Sequence, residues 1–148
     1  PTAVLLGRLS GAFGLTLASL FARAERDAGG GARLVRADEQ TTWRDPGSGY
    51  LRRAVSPAGA EPELARIELP PNARVAYPAV AFAHLRGQCI WVLDGQLRFQ
   101  EGGTEHHLSP GDCLSLGPPS DCEFHNPSRT KPCTYLVAVV AGATKGPD

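Results

Sequence analysis

The chain has 148 residues, and its 15 acidic and 15 basic side chains give a formal charge of zero. That length suits one domain, and the charge balance excludes binding to a polyanion by bulk charge. No apolar run reaches the ~18–20 residues needed to span a membrane as a helix.

Seventeen Gly and 13 Pro break the chain often, which predicts many short elements rather than long helices. Val4 to Leu20 does not read as a signal peptide, because Arg8 and Ser10 interrupt it and no basic leader precedes it. The four cysteines, Cys89, Cys113, Cys122 and Cys133, have no C-x-x-C spacing. They read as reduced, small apolar residues of a cytoplasmic protein. The chain starts at Pro1 and contains no Met, so it reads as a fragment.

Residues 2–26 are predicted to be helical. Val4, Leu5, Leu9, Ala12 and Phe13 recur at helical spacing and form one apolar side. Gly14 fits a stop, and Thr16 caps a second helix carrying Ser19, Leu20 and Phe21. Residues 28–31, all Gly but the first, read as a flexible joint.

From Arg33 the pattern becomes strands and turns. Strands are predicted at 33–37, 40–44, 50–55, 64–69, 80–85, 89–93, 96–100, 104–108, 113–116, 122–126 and 133–140. Asp94-Gly95 between apolar stretches predicts a tight hairpin, since both turn positions favour positive φ. Alternation puts Gln88, Ile90 and Val92 on one face and Cys89 and Trp91 on the other. Leu97 and Phe99 share a face, as do Cys122 and Phe124, with Glu123 and His125 opposite. Such short strands at regular spacing predict an antiparallel sandwich or barrel.

The segment from Leu64 to Val140 resembles the cupin superfamily. Anchored on Gly95, the first cupin motif puts its metal-ligand positions on Phe82, His84 and Gln88 and its leading Gly on Ala76. Anchored on Gly111, the second motif puts its ligand His on Cys122 and its closing Asn on Asn126. The resemblance implies a mainly β fold, an antiparallel double-stranded β-helix or jelly-roll barrel, here with a short N-terminal helical hairpin. The stretch PTAVLLGRLSGAFGLTLASLFA is similar to the last two helices of the phage-repressor-like (XRE-type) helix-turn-helix domain, through Pro1-Thr2 and Leu20-Phe21. The two resemblances together imply residues 1–27 as the remnant of that domain, 28–32 as a linker and 33–148 as the cupin barrel. DNA binding would reside in a missing N-terminal region.

Phe cannot ligate a metal and Gln is a weak neutral ligand, so three of four ligand positions are replaced. His84 and Cys122, with Gln88, are the metal candidates for Zn, Fe, Mn or Ni. The expected alternative is a metal-free pocket in which His84, Gln88 and Cys122 are polar groups among Phe82 and Phe124, with Tyr77 at the mouth. His106 and His107 are adjacent on a strand and so face opposite sides. Arg86 reads as a solvated loop residue, and Trp91 as an exposed aromatic on the barrel's outer face. The resulting expectation is a small-molecule-sensing regulator domain, homodimeric and without a cofactor. A metal-dependent dioxygenase, isomerase or decarboxylase using His84 and Cys122 is the rival.

Overall fold

The computed structural model describes residues 2–13 and 33–142. Its helix α1 spans Ala3–Phe13. Ten strands follow: β1 (Thr42–Arg44), β2 (Leu51–Ala54), β3 (Glu63–Leu69), β4 (Arg74–Tyr77), β5 (Leu85–Asp94), β6 (Leu97–Glu101), β7 (Thr104–Leu108), β8 (Cys113–Ser115), β9 (Cys122–His125) and β10 (Cys133–Ala141). They form two antiparallel sheets, ordered β1-β2-β3-β10-β5-β8 and β4-β9-β6-β7. The inward phases of the two sheets meet in one core.

The period-two reading holds. Ile90 and Val92 are fully buried on β5, while Trp91 between them is 46% exposed. Leu97 and Phe99 on β6, Cys122 and Phe124 on β9, and Ala65, Ile67 and Leu69 on β3 are buried alongside them. Each large side chain removed from water in this way contributes about 1.5–3 kcal/mol, so the alternation largely determines the fold class.

Four local expectations are corrected. Residues 33–37 are not a strand; a 3-10 turn begins at Ala37. Residues 80–85 are not one either, because a 3-10 turn occupies Ala79–Ala81 and β5 starts only at Leu85. In front of Pro78 lies a strand that was not expected, β4, whose Val75 is buried against β9. Asp94-Gly95 does not close a hairpin. It is a corner at which the chain leaves one sheet for the other: β5 pairs with β10 and β8, while β6 pairs with β7 and β9. The hairpin that does close there is β6–β7, across Gly102-Gly103.

Helix α1 corrects its predicted face. Leu5 and Leu9 are 47% and 38% exposed, and Ala3 and Gly7 are buried instead. The helix lies against the Tyr77–Ala81 segment through Gly7 and Gly11, one turn apart, with Ala3 buried a turn earlier. A Cβ on Gly7 would stand 2.6 Å from Tyr77 Cδ1, and one on Gly11 would overlap the Val80 carbonyl. Glycine permits an approach that any larger residue forbids. The second predicted helix, the 28–31 joint and the last residues lie outside the described residues.

Asp45, in the β1–β2 connection, ties the helix down. Its carboxylate accepts hydrogen bonds from Ala3 N at 2.9 Å, from Ser48 N at 3.0 Å and from Ser48 Oγ at 2.6 Å. It thereby satisfies a donor at the helix N-terminus that has no partner within the helix.

Candidate functional site

The core is not filled between β3, β4, β9 and β10. A cavity of about 80 Å³ remains there, walled by Ile67, Val75, Phe124 and Val137, with Gly7 of α1 closing one side. Its aromatic lining is ordered. Tyr77 meets Phe82 and Phe124 edge-on, each with ring centroids 6.0 Å apart, and Phe124 stacks on Tyr135 at 5.6 Å.

The polar groups in this apolar space are few. Tyr50 Oη and Tyr77 Oη lie 3.2 Å apart and share a hydrogen bond. Burial raises the Tyr50 pKa and pushes those of Tyr77 and Tyr135 well above the ordinary tyrosine value. In all three the Arg52 guanidinium pulls weakly the other way. The hydroxyls therefore stay neutral, able both to donate and to accept. Arg52 and Glu63 complete the polar lining. Gln88 Oε1 is a buried acceptor with no hydrogen-bond partner among the described residues, and an unsatisfied buried acceptor costs about 1–3 kcal/mol.

A second cavity, of about 350 Å³, lies on the other side of Gln88, between Phe99, Cys122 and the loop Leu116–Ser120. Phe82, Leu85 and Gln88 line both cavities and so separate them. Glu101 stands at this second cavity and fastens the loop by accepting from Gly117 N at 2.8 Å; it also contacts His106 Nε2 at 3.3 Å.

The expected site residues thus fall in different places. Tyr77, Phe82, Gln88 and Phe124 line the first cavity, and Cys122 lines only the second. His84 lines neither; it sits in the turn before β5, where its carbonyl accepts Gly142 N at 2.9 Å. Burial, outweighing a backbone hydrogen bond with Tyr77, pushes the Cys122 thiol up to about 12, so it stays protonated and unreactive at neutral pH. Among the described residues no group of three or more His, Cys, Asp or Glu side chains is placed to hold a metal ion. His107 is exposed, whereas His106 is half-buried and stacks on Phe99 with 6.4 Å between centroids. Arg86 is exposed at the rim of the second cavity.

Sequence reasoning missed Tyr50, Arg52, Glu63, Tyr135 and Gly7. Tyr135 was findable, since it shares the inward phase of Cys133 and Val137 on one strand. The others reach the cavity only through strand pairing and helix docking.

The fold and site are those of an antiparallel two-sheet β-barrel that encloses a mostly apolar cavity with a few polar groups in its lining. Residues 65–139 match the Cupin_2 model, described as a cupin domain, and the chain belongs to that family. No curated protein sequence matches it. Among solved structures it is similar in fold to an HTH_3 family transcriptional regulator from Vibrio cholerae. The identity is 15% and the TM-score 0.72, over 97% of this chain and 74% of that one. It is also similar to an RmlC-like cupin from Shewanella frigidimarina, at 17% identity and a TM-score of 0.59 over 78% and 95% of the two chains. A predicted oxalate decarboxylase from Thermotoga maritima is similar at 18% identity and a TM-score of 0.55, over 73% and 98%.

Proposed function

We propose that this chain is the effector-sensing domain of a transcription regulator, acting as a homodimer and carrying DNA-binding heads. The effector is a small, mostly apolar molecule. Its body is held among Phe82, Phe124 and Ile67, and its hydrogen-bonding groups meet Tyr50, Tyr77 and Gln88. The observation that carries this reading is that Gly7 of α1 is part of the cavity wall, in direct contact with Tyr77. A ligand that shifts the Tyr77 ring must also shift the helix. A sensor needs such a connection, because an effector acts only by binding one arrangement better than another. The fold shared with the Vibrio cholerae regulator over 97% of this chain supports the same reading. Sensing makes and breaks no bonds, so it asks for no metal at His84, Gln88 and Cys122.

The test is a thermal-shift screen of small metabolites against this chain, beside an Ala65→Phe variant that fills the first cavity. A ligand at a hundredfold its Kd stabilises by about 2.7 kcal/mol, a shift of several degrees in Tm. The expected hit raises the Tm of the parent chain, leaves the filled variant unmoved and is recovered chemically unchanged. Conversion of the hit to product, or a stoichiometric metal lost in His84→Ala, overturns the reading in favour of a metal-dependent cupin enzyme.

A further inference from the structure

The outer face of the six-stranded sheet carries two thiols that the cavities do not use. Cys89 on β5 points outward with Trp91, and Cys113 on the neighbouring strand β8 is directly opposite Trp91. Cys89 and Cys113 are therefore diagonal neighbours on one face. They are free thiols, Cys113 exposed and Cys89 half-buried, and they are close enough for Cys89 to raise the pKa of Cys113. Cys122 and Cys133, by contrast, are buried in the core.

Diagonal neighbours in a sheet have Cα atoms roughly 7–8 Å apart, and a disulfide accepts about 4.4–6.8 Å. Closing the bond therefore draws the two strands together by about an ångström. The strand free to move is β8, which is three residues long, at the sheet edge and, among the described residues, paired only with β5. β8 runs directly into Leu116–Ser120, the loop that walls the second cavity, and Leu116 N donates to the Gln88 carbonyl at 2.9 Å.

We propose that Cys89 and Cys113 form a peroxide-oxidised dithiol whose closure to a disulfide pulls β8 and the Leu116–Ser120 loop and so reshapes the second cavity. The chemistry balances with hydrogen peroxide as the oxidant. The exposed Cys113 sulfur attacks one peroxide oxygen, the O–O bond breaks and a first water leaves, giving a sulfenic acid. The Cys89 sulfur then attacks the Cys113 sulfur, the S–O bond breaks and a second water leaves with the remaining thiol proton. Two thiols lose two electrons and two protons in all, and the peroxide takes them up. Burial and the neighbouring Cys89 raise the Cys113 pKa, so the first step is slow at neutral pH and accelerates as pH rises.

The experiment treats the reduced chain with hydrogen peroxide. It then maps peptides by mass spectrometry and follows amide exchange over 113–120. The expected result is an intramolecular Cys89–Cys113 cross-link, two hydrogen masses lighter. It is absent from Cys89→Ser and Cys113→Ser, reversed by a dithiol reductant, and accompanied by altered exchange at Leu116–Ser120. Oxidation of Cys113 to a sulfinic acid with Cys89 still alkylatable overturns the proposal, and so does a disulfide joining two copies of the chain. A cross-link that leaves exchange over 116–120 unchanged overturns the coupling to the cavity. Both readouts come from the parent chain and do not depend on how a variant folds.

Discussion

Gly7 and Tyr77 are in contact across the boundary between helix α1 and the barrel, so close that a methyl group on Gly7 would lie 2.6 Å from the tyrosine ring. The ring is itself confined by Phe82, Phe124 and the Tyr50 hydroxyl. One side chain thus touches both the cavity and the helix.

Replacing that glycine tests the contact. Gly7→Ala gains up to ~1 kcal/mol of helix propensity, but overpacking against a ring with nowhere to go costs about 1–3 kcal/mol. Net destabilisation by urea unfolding is expected, with faster amide exchange along α1. Gly11→Ala meets the rigid backbone of Val80 instead of a side chain, and the expected loss is larger.

Asp45 sets an acid limit on helix docking. Burial raises its pKa, but hydrogen bonds from Ser48 Oγ and from the N–H groups of Ala3, Ser48 and Gly47 together outweigh it and leave the carboxyl below the ordinary aspartate value. A group depressed in the folded state stabilises fully above its unfolded pKa, and that contribution is lost as pH falls through the lower folded value. Asp45→Ala should cost about 1 kcal/mol at neutral pH, as loss of a helix cap does, and should flatten the acid end of the stability profile. Parallel urea titrations from pH 7 down past the carboxylate range check both.

Asn126 holds loops together. It is fully buried; its Nδ2 donates to the carbonyls of Leu69, Pro70 and Lys131, and its Oδ1 accepts Ser128 N at 3.0 Å. Asn126→Ala leaves several of these groups unpaired and should cost about 3 kcal/mol. Asn126→Asp should cost more, since it turns a carboxylate toward carbonyl oxygens. Unfolding midpoints order the variants, and a midpoint for Asn126→Asp above that of Asn126→Ala would refute the argument.

Two motif glycines should respond unequally. Gly95 has φ +79° and a Cβ there would sit 2.6 Å from the Pro132 carbonyl oxygen, whereas Gly111 has φ +93° with nothing within 4 Å. Gly111→Ala therefore carries only the backbone penalty, roughly 1–2 kcal/mol. Gly95→Ala adds a backbone clash and should fall further, measurable as a lower Tm.

Much of the barrel is legible in the sequence because alternation is local. Which face Ile90, Leu97 or Phe124 presents depends on its own strand, and the expected faces are the observed ones. The cavity is partly legible for the same reason: Phe124 points inward on a strand that was foreseen, and Gln88 shares the expected face of Ile90 and Val92, although the strand begins earlier than expected. Phe82 reaches the cavity by a different route, from just after a 3-10 turn where a strand was expected.

Pairing and docking are decided at a distance. Asp94-Gly95 has the local signature of a hairpin, yet the strands it joins belong to different sheets, because β10 and β8 take the places beside β5. The apolar spacing of α1 pointed to Leu5 and Leu9, yet the helix sits on Gly7 and Gly11, since close approach to Tyr77 and Val80 is open only to the smallest residues. The sequence by itself therefore determined the inward residues of the barrel and its family, through side-chain direction along each strand. Only the tertiary structure decided that two cavities meet at Gln88 and that a helix walls one of them, because both depend on contacts between segments far apart in the chain.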